Sequence, residues 1–205
     1  ALDEINLWME HQAYYLTEVN IMLAEERGAC DRSNDTCYGQ GIFPWEKRAK
    51  GTSDLIDFKT TLTWEHLRSR MIKSGVHCGC LMAIAPVESS SVVINSTNGI
   101  NMPKSLITVK ESKSGILVQV VPGYKQYKNS YSLLWNQPSC EGYIKTAAVL
   151  GIWVDQGSSI DTFWNPANYE SKMTPMQEVV KMHILAHHWG VKSLYYAITN
   201  KLASK

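Results

Sequence analysis

Tyr195 and Tyr196 are the side chains of this sequence best suited to chemistry beyond packing. They follow a helical pattern that Gly190 ends, and they sit in the short apolar run 191–198, which reads as a strand. Taking an electron from a phenol collapses the pKa of its hydroxyl, so electron and proton must leave together. Two adjacent buried rings keep each hop short. In a regular strand, neighbours point to opposite faces. A relay through stacked rings therefore requires a local break in the strand at Tyr195. Tyr14-Tyr15 is the internal control: it lies in a helical pattern and receives no such role.

A second constellation lies upstream. The apolar run 81–85 reads as a strand buried on both faces, and it gives way to Pro86-Val87-Glu88-Ser89-Ser90-Ser91 and then Val92-Val93-Ile94. Strand, polar turn and helix start form the geometry of an anion site: unpaired N–H groups, the helix dipole and serine hydroxyls all present donors there. Diphosphate can be held without lysine. Glu88 is expected to point away and cap the helix. The same residues would also serve as an ordinary serine-capped helix start.

Two further groups carry weaker signals. His183 and His187 form an i, i+4 pair beside His188, yet no further ligand is recognisably placed, so helix-face histidines favoured by the C-terminal dipole are expected and no metal is assigned. Cys78-Gly79-Cys80 precedes the strand and is read as plain reduced thiols.

The elements that must position these residues follow from periodicity. Apolar residues at Tyr15, Leu16, Val19, Met22 and Leu23 trace one face of a long helix stopped by Gly28. Residues 29–54 read as an ordered loop. Thr63 caps a helix with Trp64, Leu67 and Met71 inward and Gly75 as its end. Residues 106–109 and 115–121 flank the polar connection 110–114 as a β-hairpin. Two helices are expected next, one with Tyr127, Tyr131 and Leu134 on a face, the other with Tyr143, Ala147, Leu150 and Val154. Thr174-Pro175-Met176-Gln177 combines an N-cap, proline at the first helical position and a capping box.

At 205 residues and 44% hydrophobic content, the chain is long enough to bury a sizeable core. Its 20 basic and 19 acidic residues leave no broad field to attract nucleic acid. No apolar run spans a bilayer and no basic signal-peptide start is present. Five cysteines without framework spacing suit a reducing, cytoplasmic setting, in which the sequons at Asn34 and Asn95 carry no meaning. A start without methionine, straight into helical pattern, suggests that the chain continues a longer polypeptide.

The serine turn, Asn95-Ser96-Thr97-Asn98-Gly99-Ile100, the hairpin sequence from Lys110 to Pro122 and Gly190-Val191-Lys192-Ser193-Leu194-Tyr195-Tyr196, in that order, resemble the C-terminal part of the large, catalytic subunit of class I ribonucleotide reductase, in its enterobacterial and phage form. The resemblance implies an α/β fold: the C-terminal portion of a ten-stranded α/β barrel with an appended α/β region. The expected division is 1–85 for the last barrel helices and strand, 86–190 for the phosphate loop, hairpin and helices, and 191–205 for the terminal strand and tail. It implies reduction of ribonucleoside diphosphates to deoxyribonucleoside diphosphates by radical chemistry. Pro86, Val87, Glu88, Ser89 and Ser90 would form the substrate-diphosphate loop. Val87 stands where a small polar residue is expected, at a position that acts through its backbone. Tyr196 would receive the radical from the small subunit and Tyr195 would pass it on.

The thiyl cysteine and redox cysteines, and the sites for allosteric nucleotides, would lie in an N-terminal part of the large subunit. A di-iron and tyrosyl-radical cofactor would belong to the small subunit, and a thioredoxin-like protein would supply electrons. This chain would hold no cofactor itself and would be inactive alone. The helix around residues 176–188 is a candidate docking site for the small subunit's tail. A non-catalytic nucleotide-binding or assembly module and a histidine-based metal-dependent hydrolase are the alternatives.

Overall fold

The computed structural model describes residues 1–112 and 115–201, with the side chains of Glu88 and residues 110–112 outside that description. The chain begins with helix α1 (Leu2–Arg27), which ends at Gly28, φ 93°. Residues 29–54 form an ordered loop containing three 3₁₀ turns. Helix α2 (Trp64–Ser74) buries Trp64, Leu67 and Met71, the inward positions its period predicts. Gly75 ends it at φ 72°, where a Cβ would come within 2.7 Å of the Ala29 side chain.

The face that α1 buries is not the face its apolar spacing predicts. Tyr15, Leu16, Val19 and Met22 are exposed, together with Leu7 and Trp8, while Asn6, Glu10, Thr17 and Asn20 point inward beside Ala13, Ile21 and Ala24. The physical reason is hydrogen bonding. The fully buried Glu10 carboxylate accepts from the backbone N–H groups of Thr61 and Leu62, the Thr61 hydroxyl and the Trp64 indole N–H, at 2.7–3.1 Å. Asn6 accepts from the Trp153 indole at 2.9 Å, and the Asn20 amide both accepts from Cys78 N–H and donates to its carbonyl. Loops that cannot pair with each other are thus satisfied by one helix face.

Around these bonds sits an aromatic core. The Trp64 ring lies 4.7 Å from Phe43 and 5.8 Å from Trp153, and Phe58 lies 5.5 Å from Trp153. Helix α5 (Glu141–Trp153) runs beside α1 and is buried nearly all round, so it joins this cluster to a second one formed by β3 (Ile160–Trp164) and α6 (Met176–His188).

The second half holds one parallel and one antiparallel pair of strands. Strand β4 (Leu194–Thr199) pairs in parallel with β3, with α6 as the crossover between them, a βαβ unit. The segment 81–85 runs parallel to 156–159 through a bridge between Ile84 and Ser158. It is extended but not buried on both faces: Met82 is inside while Ala83 and Ala85 are exposed. An antiparallel hairpin, β1 (Ile107–Ser112) and β2 (Gly115–Val120), stands apart, and its ladder extends through residues 110–112, which the sequence assigns to the connection. Lys113, Ser114 and the tail residues 202–205 lie outside the described residues.

Three further local expectations are corrected. The helix expected through Tyr127, Tyr131 and Leu134 is a single turn, α4 (Tyr124–Tyr127), and a separate 3₁₀ turn at Leu134–Asn136; the Tyr131 hydroxyl instead donates back to the Pro122 carbonyl. Helix α6 starts after Pro175 without a side-chain cap, because Pro175 itself occupies the N-cap. Thr63 stands at the start of α2 but makes no side-chain cap bond. The described residues are α/β and form no closed barrel.

Replacing Glu10 by Ala removes the acceptor of two part-buried backbone N–H groups and of the buried Trp64 indole N–H. It is expected to lower stability by about 3 kcal/mol or more, read as a fall in urea midpoint at unchanged slope; a midpoint within error of the parent would refute this role.

Candidate functional site

The tyrosine pair occupies a strand irregularity. Ile160 pairs with Leu194 and Thr162 with Ala197, so β3 advances two residues while β4 advances three. Asp161 alone therefore stands opposite both Tyr195 and Tyr196, a bulge with the extra residue on β4. The alternation of a regular strand is broken here, and both rings come to one side. Their centroids are 3.9 Å apart, with planes tilted by 45° and not parallel, and the two hydroxyls are hydrogen-bonded at 2.8 Å. The rings are not buried in this chain: Tyr195 is 53% and Tyr196 56% exposed, because β4 has β3 as its partner on one side and the rings project away from the core.

Polar anchors fix the strand that carries them. Tyr196 donates its N–H to the Asp161 carboxylate at 3.2 Å, and its carbonyl accepts from the Thr162 hydroxyl at 3.4 Å. Just upstream, the Lys192 ammonium donates to the carbonyls of Val154 and Gln156, and the Ser193 hydroxyl donates to Ser158 O. Burial holds the Lys192 pKa below the usual lysine range. The Tyr143 phenol, packed beneath β3, is pushed up by burial first and by the Asp161 negative charge second. Gly190, at φ 81°, closes α6 where a Cβ would lie 2.5 Å from the Ala49 side chain.

The serine turn is also formed. Pro86 and Val87 lead into α3 (Glu88–Val93). Val87 donates its N–H to the Asn98 carbonyl at 2.6 Å, and the first intrahelical bond runs from Ser91 N–H to Val87 O. The first-turn N–H groups of Glu88, Ser89 and Ser90 thus face out of the helix end. Pro86, Val87, Ser89 and Ser90 are exposed, whereas Ser91 is fully buried and donates to the Asn98 side chain at 3.1 Å. In a six-residue helix the free first-turn donors matter more than a summed dipole. The expected cap by Glu88 falls on a side chain outside the described residues.

Turn and tyrosines are joined through a short polar chain. Asn98 holds the turn, Asn101 follows three residues later, and its amide donates at 3.1 Å to the same Asp161 carboxylate that binds Tyr196. Asp161 was not legible from the sequence as a site residue; an acidic residue inside an apolar strand pattern is the signal that marks it.

The other candidate residues lie elsewhere. His183 uses its ring on the Val179 carbonyl one turn back, and His188 pairs with Asp54 at 2.7 Å. Among the described residues no three His, Cys, Asp or Glu side chains converge as a metal site. A cavity of about 330 Å³ between the 37–52 loop and α5 is lined by Tyr38, Phe43, Lys47, Asp155 and Lys192, away from both the turn and the tyrosines.

The family described as the ribonucleotide reductase barrel domain matches residues 1–197. This chain belongs to that family. The reductase relatives are alpha subunits of ribonucleoside-diphosphate reductase: that of Buchnera aphidicola (subsp. Baizongia pistaciae) is 39% identical over 191 residues, 93% of this chain and 25% of the relative. That of Salmonella typhimurium is 38% identical over 186 residues, 91% of this chain and 24% of the relative. That of Enterobacteria phage T4 is 31% identical over 189 residues, 91% and 25% respectively. The chain thus spans about a quarter of the length of the reductase subunits it matches.

The cysteines of this reductase-family chain are all free. Cys37, Cys78 and Cys80 are exposed, Cys30 is partly buried and Cys140 is fully buried, its thiol pKa raised by that burial. Thiolate is the reacting form. Alkylation of the native chain followed by peptide mass mapping should modify Cys37, Cys78 and Cys80 first and Cys140 only on unfolding; early labelling of Cys140 would contradict the packing described.

Proposed function

We propose that this chain is the C-terminal portion of a ribonucleotide reductase large subunit that supplies the diphosphate loop and a two-tyrosine radical relay, acting in the cytoplasm. The observation that carries the reading is the pair of hydroxyls 2.8 Å apart on rings 3.9 Å apart, at the strand break a relay needs. The step between them is a hydrogen-atom transfer: the Tyr196 phenoxyl takes electron and proton from the Tyr195 phenol, leaving Tyr196 as phenol and Tyr195 as phenoxyl. The hydroxyl contact gives the proton a path of one hydrogen bond. Tyr195 would then oxidise a cysteine thiol carried by the N-terminal part of the subunit, within the ten-stranded barrel that both parts would complete.

Pro86 to Ser90 would receive the diphosphate of a ribonucleoside diphosphate through first-turn N–H groups and the hydroxyls of Ser89 and Ser90. A small subunit would provide the di-iron-generated radical, a thioredoxin-like protein the electrons, and the N-terminal part the allosteric nucleotide sites. Two surfaces are consistent with such partners. The outward face of α1 exposes Trp8, Tyr15, Val19 and Met22, an apolar stripe suited to packing against the rest of the subunit. Met176, Val180 and Ile184 are exposed on successive turns of α6, the helix suggested for the small subunit's tail.

The test is reconstitution of the chain with the N-terminal polypeptide and radical subunit from the same source. Tyr195→Phe and Tyr196→Phe should each abolish deoxyribonucleotide formation, a loss of at least about 10³-fold in kcat, equal to about 4 kcal/mol, with substrate binding unchanged. Ser89→Ala with Ser90→Ala should raise KM instead. Turnover retained by either phenylalanine variant would remove the relay. Nucleotide binding by the chain without activity in any reconstitution would favour the non-catalytic module.

A further inference from the structure

We propose that Asp161 is a positioning residue, which holds the Tyr195–Tyr196 bulge in its paired geometry and ties it, through Asn101, to the serine turn. The inference rests on the relay reading for its functional meaning but on geometry for its content.

A bulge leaves backbone groups without ladder partners, and one extra residue on β4 must be stabilised by something outside the ladder. Asp161 does this from the position directly opposite. One carboxylate oxygen accepts from Tyr196 N–H at 3.2 Å and the other accepts from the Asn101 amide at 3.1 Å. A carboxylate is suited to the task because it is an acceptor at both oxygens, and each bond to it is charge-assisted.

The other backbone group of the same residue is held as well, by the Thr162 hydroxyl on Tyr196 O. Asn101 has its side-chain oxygen buried without a partner, so its amide orientation is dictated by Asp161. The polypeptide between Asn101 and the turn is short, and Asn98 within it fixes both Val87 N–H and the Ser91 side chain. Movement of the serine turn therefore reaches the tyrosine backbone through three hydrogen-bonded links and few covalent bonds. Occupancy of the turn would be felt at the relay by this route.

The test uses the full chain with both Tyr195 and Tyr196 replaced by 3-fluorotyrosine, and reads the through-space fluorine–fluorine cross-peak between the two rings by NMR. The parent should show the cross-peak. Asp161→Ala should lose it, with the overall fold verified by circular dichroism. Asp161→Asn should restore it: the new amide keeps one acceptor for Tyr196 N–H, and Asn101 can turn its unpartnered oxygen to the new NH₂. Asn101→Ala, which leaves the Tyr196 bond in place, should shift the Tyr196 fluorine resonance without abolishing the cross-peak, and it serves if Asp161→Ala fails to fold.

A cross-peak unchanged in Asp161→Ala, or equally lost in Asp161→Asn, or a fluorine resonance unmoved in Asn101→Ala, would overturn the proposal. In the reconstituted enzyme, Asp161→Ala should lower kcat at least tenfold with KM within twofold, and Asp161→Asn should recover most of it. Failure of the relay reading is distinguishable: Tyr195→Phe would then be active, while the fluorine measurement would still report whether Asp161 sets the pair's geometry.

Discussion

A carboxylate removed from water has to be surrounded by donors, and Glu10 is surrounded by four of them. This requirement organises the first half of the molecule. The turn before α2 is drawn onto α1 because its N–H groups have no strand to pair with, and the indole of Trp64 is drawn in with it. Trp64 in turn stacks on Trp153, whose own indole N–H is taken by Asn6. One helix face thereby aligns α2, the 58–64 loop and the C-terminal end of α5. From α5 the order passes to β3 and α6, and so to the strand that bears the tyrosines.

The second half works by a different device. A parallel βαβ unit would ordinarily send neighbouring side chains to opposite faces, and one additional residue on β4 suspends that rule at a single step. The result is two phenols on one side with their oxygens in contact. The serine turn sits at the end of a neighbouring parallel segment, 81–85, which Asp155 fixes by accepting from the N–H groups of Leu81 and Met82. The end of that segment, a helix start and the first residues of β4 are thus arranged on one parallel framework.

Much of this was legible in the sequence where local physics decides the outcome. Gly28, Gly75 and Gly190 mark helix ends because each sits at positive φ. Trp64, Leu67 and Met71 face inward as their spacing requires. The hairpin, α6 and β4 were readable from apolar runs and turn residues, whereas β3, the strand that β4 pairs with, was not. What was not legible depended on distant partners. The apolar spacing of α1 traces a face that is exposed, while the buried face carries Thr17 together with Asn6, Glu10 and Asn20, and the bonds of these last three to residues more than fifty positions away are revealed by no local pattern. The 127–134 helix fails because its residues bond back to the Pro103 and Pro122 carbonyls. The need for a break at Tyr195 could be reasoned from strand geometry, but that Asp161, an acidic residue in an apolar strand pattern, is the one facing the break follows only from the register of two strands.

The exposure of the two rings has a consequence for timing. A phenoxyl reached by water and dissolved reductants is short-lived, and each ring here offers more than half its surface to solvent. On the proposed reading, the oxidising equivalent has to wait until both rings are roofed over, so assembly acts as an interlock: the conduit conducts only after docking has sealed it, and a premature spark is spent harmlessly in the medium.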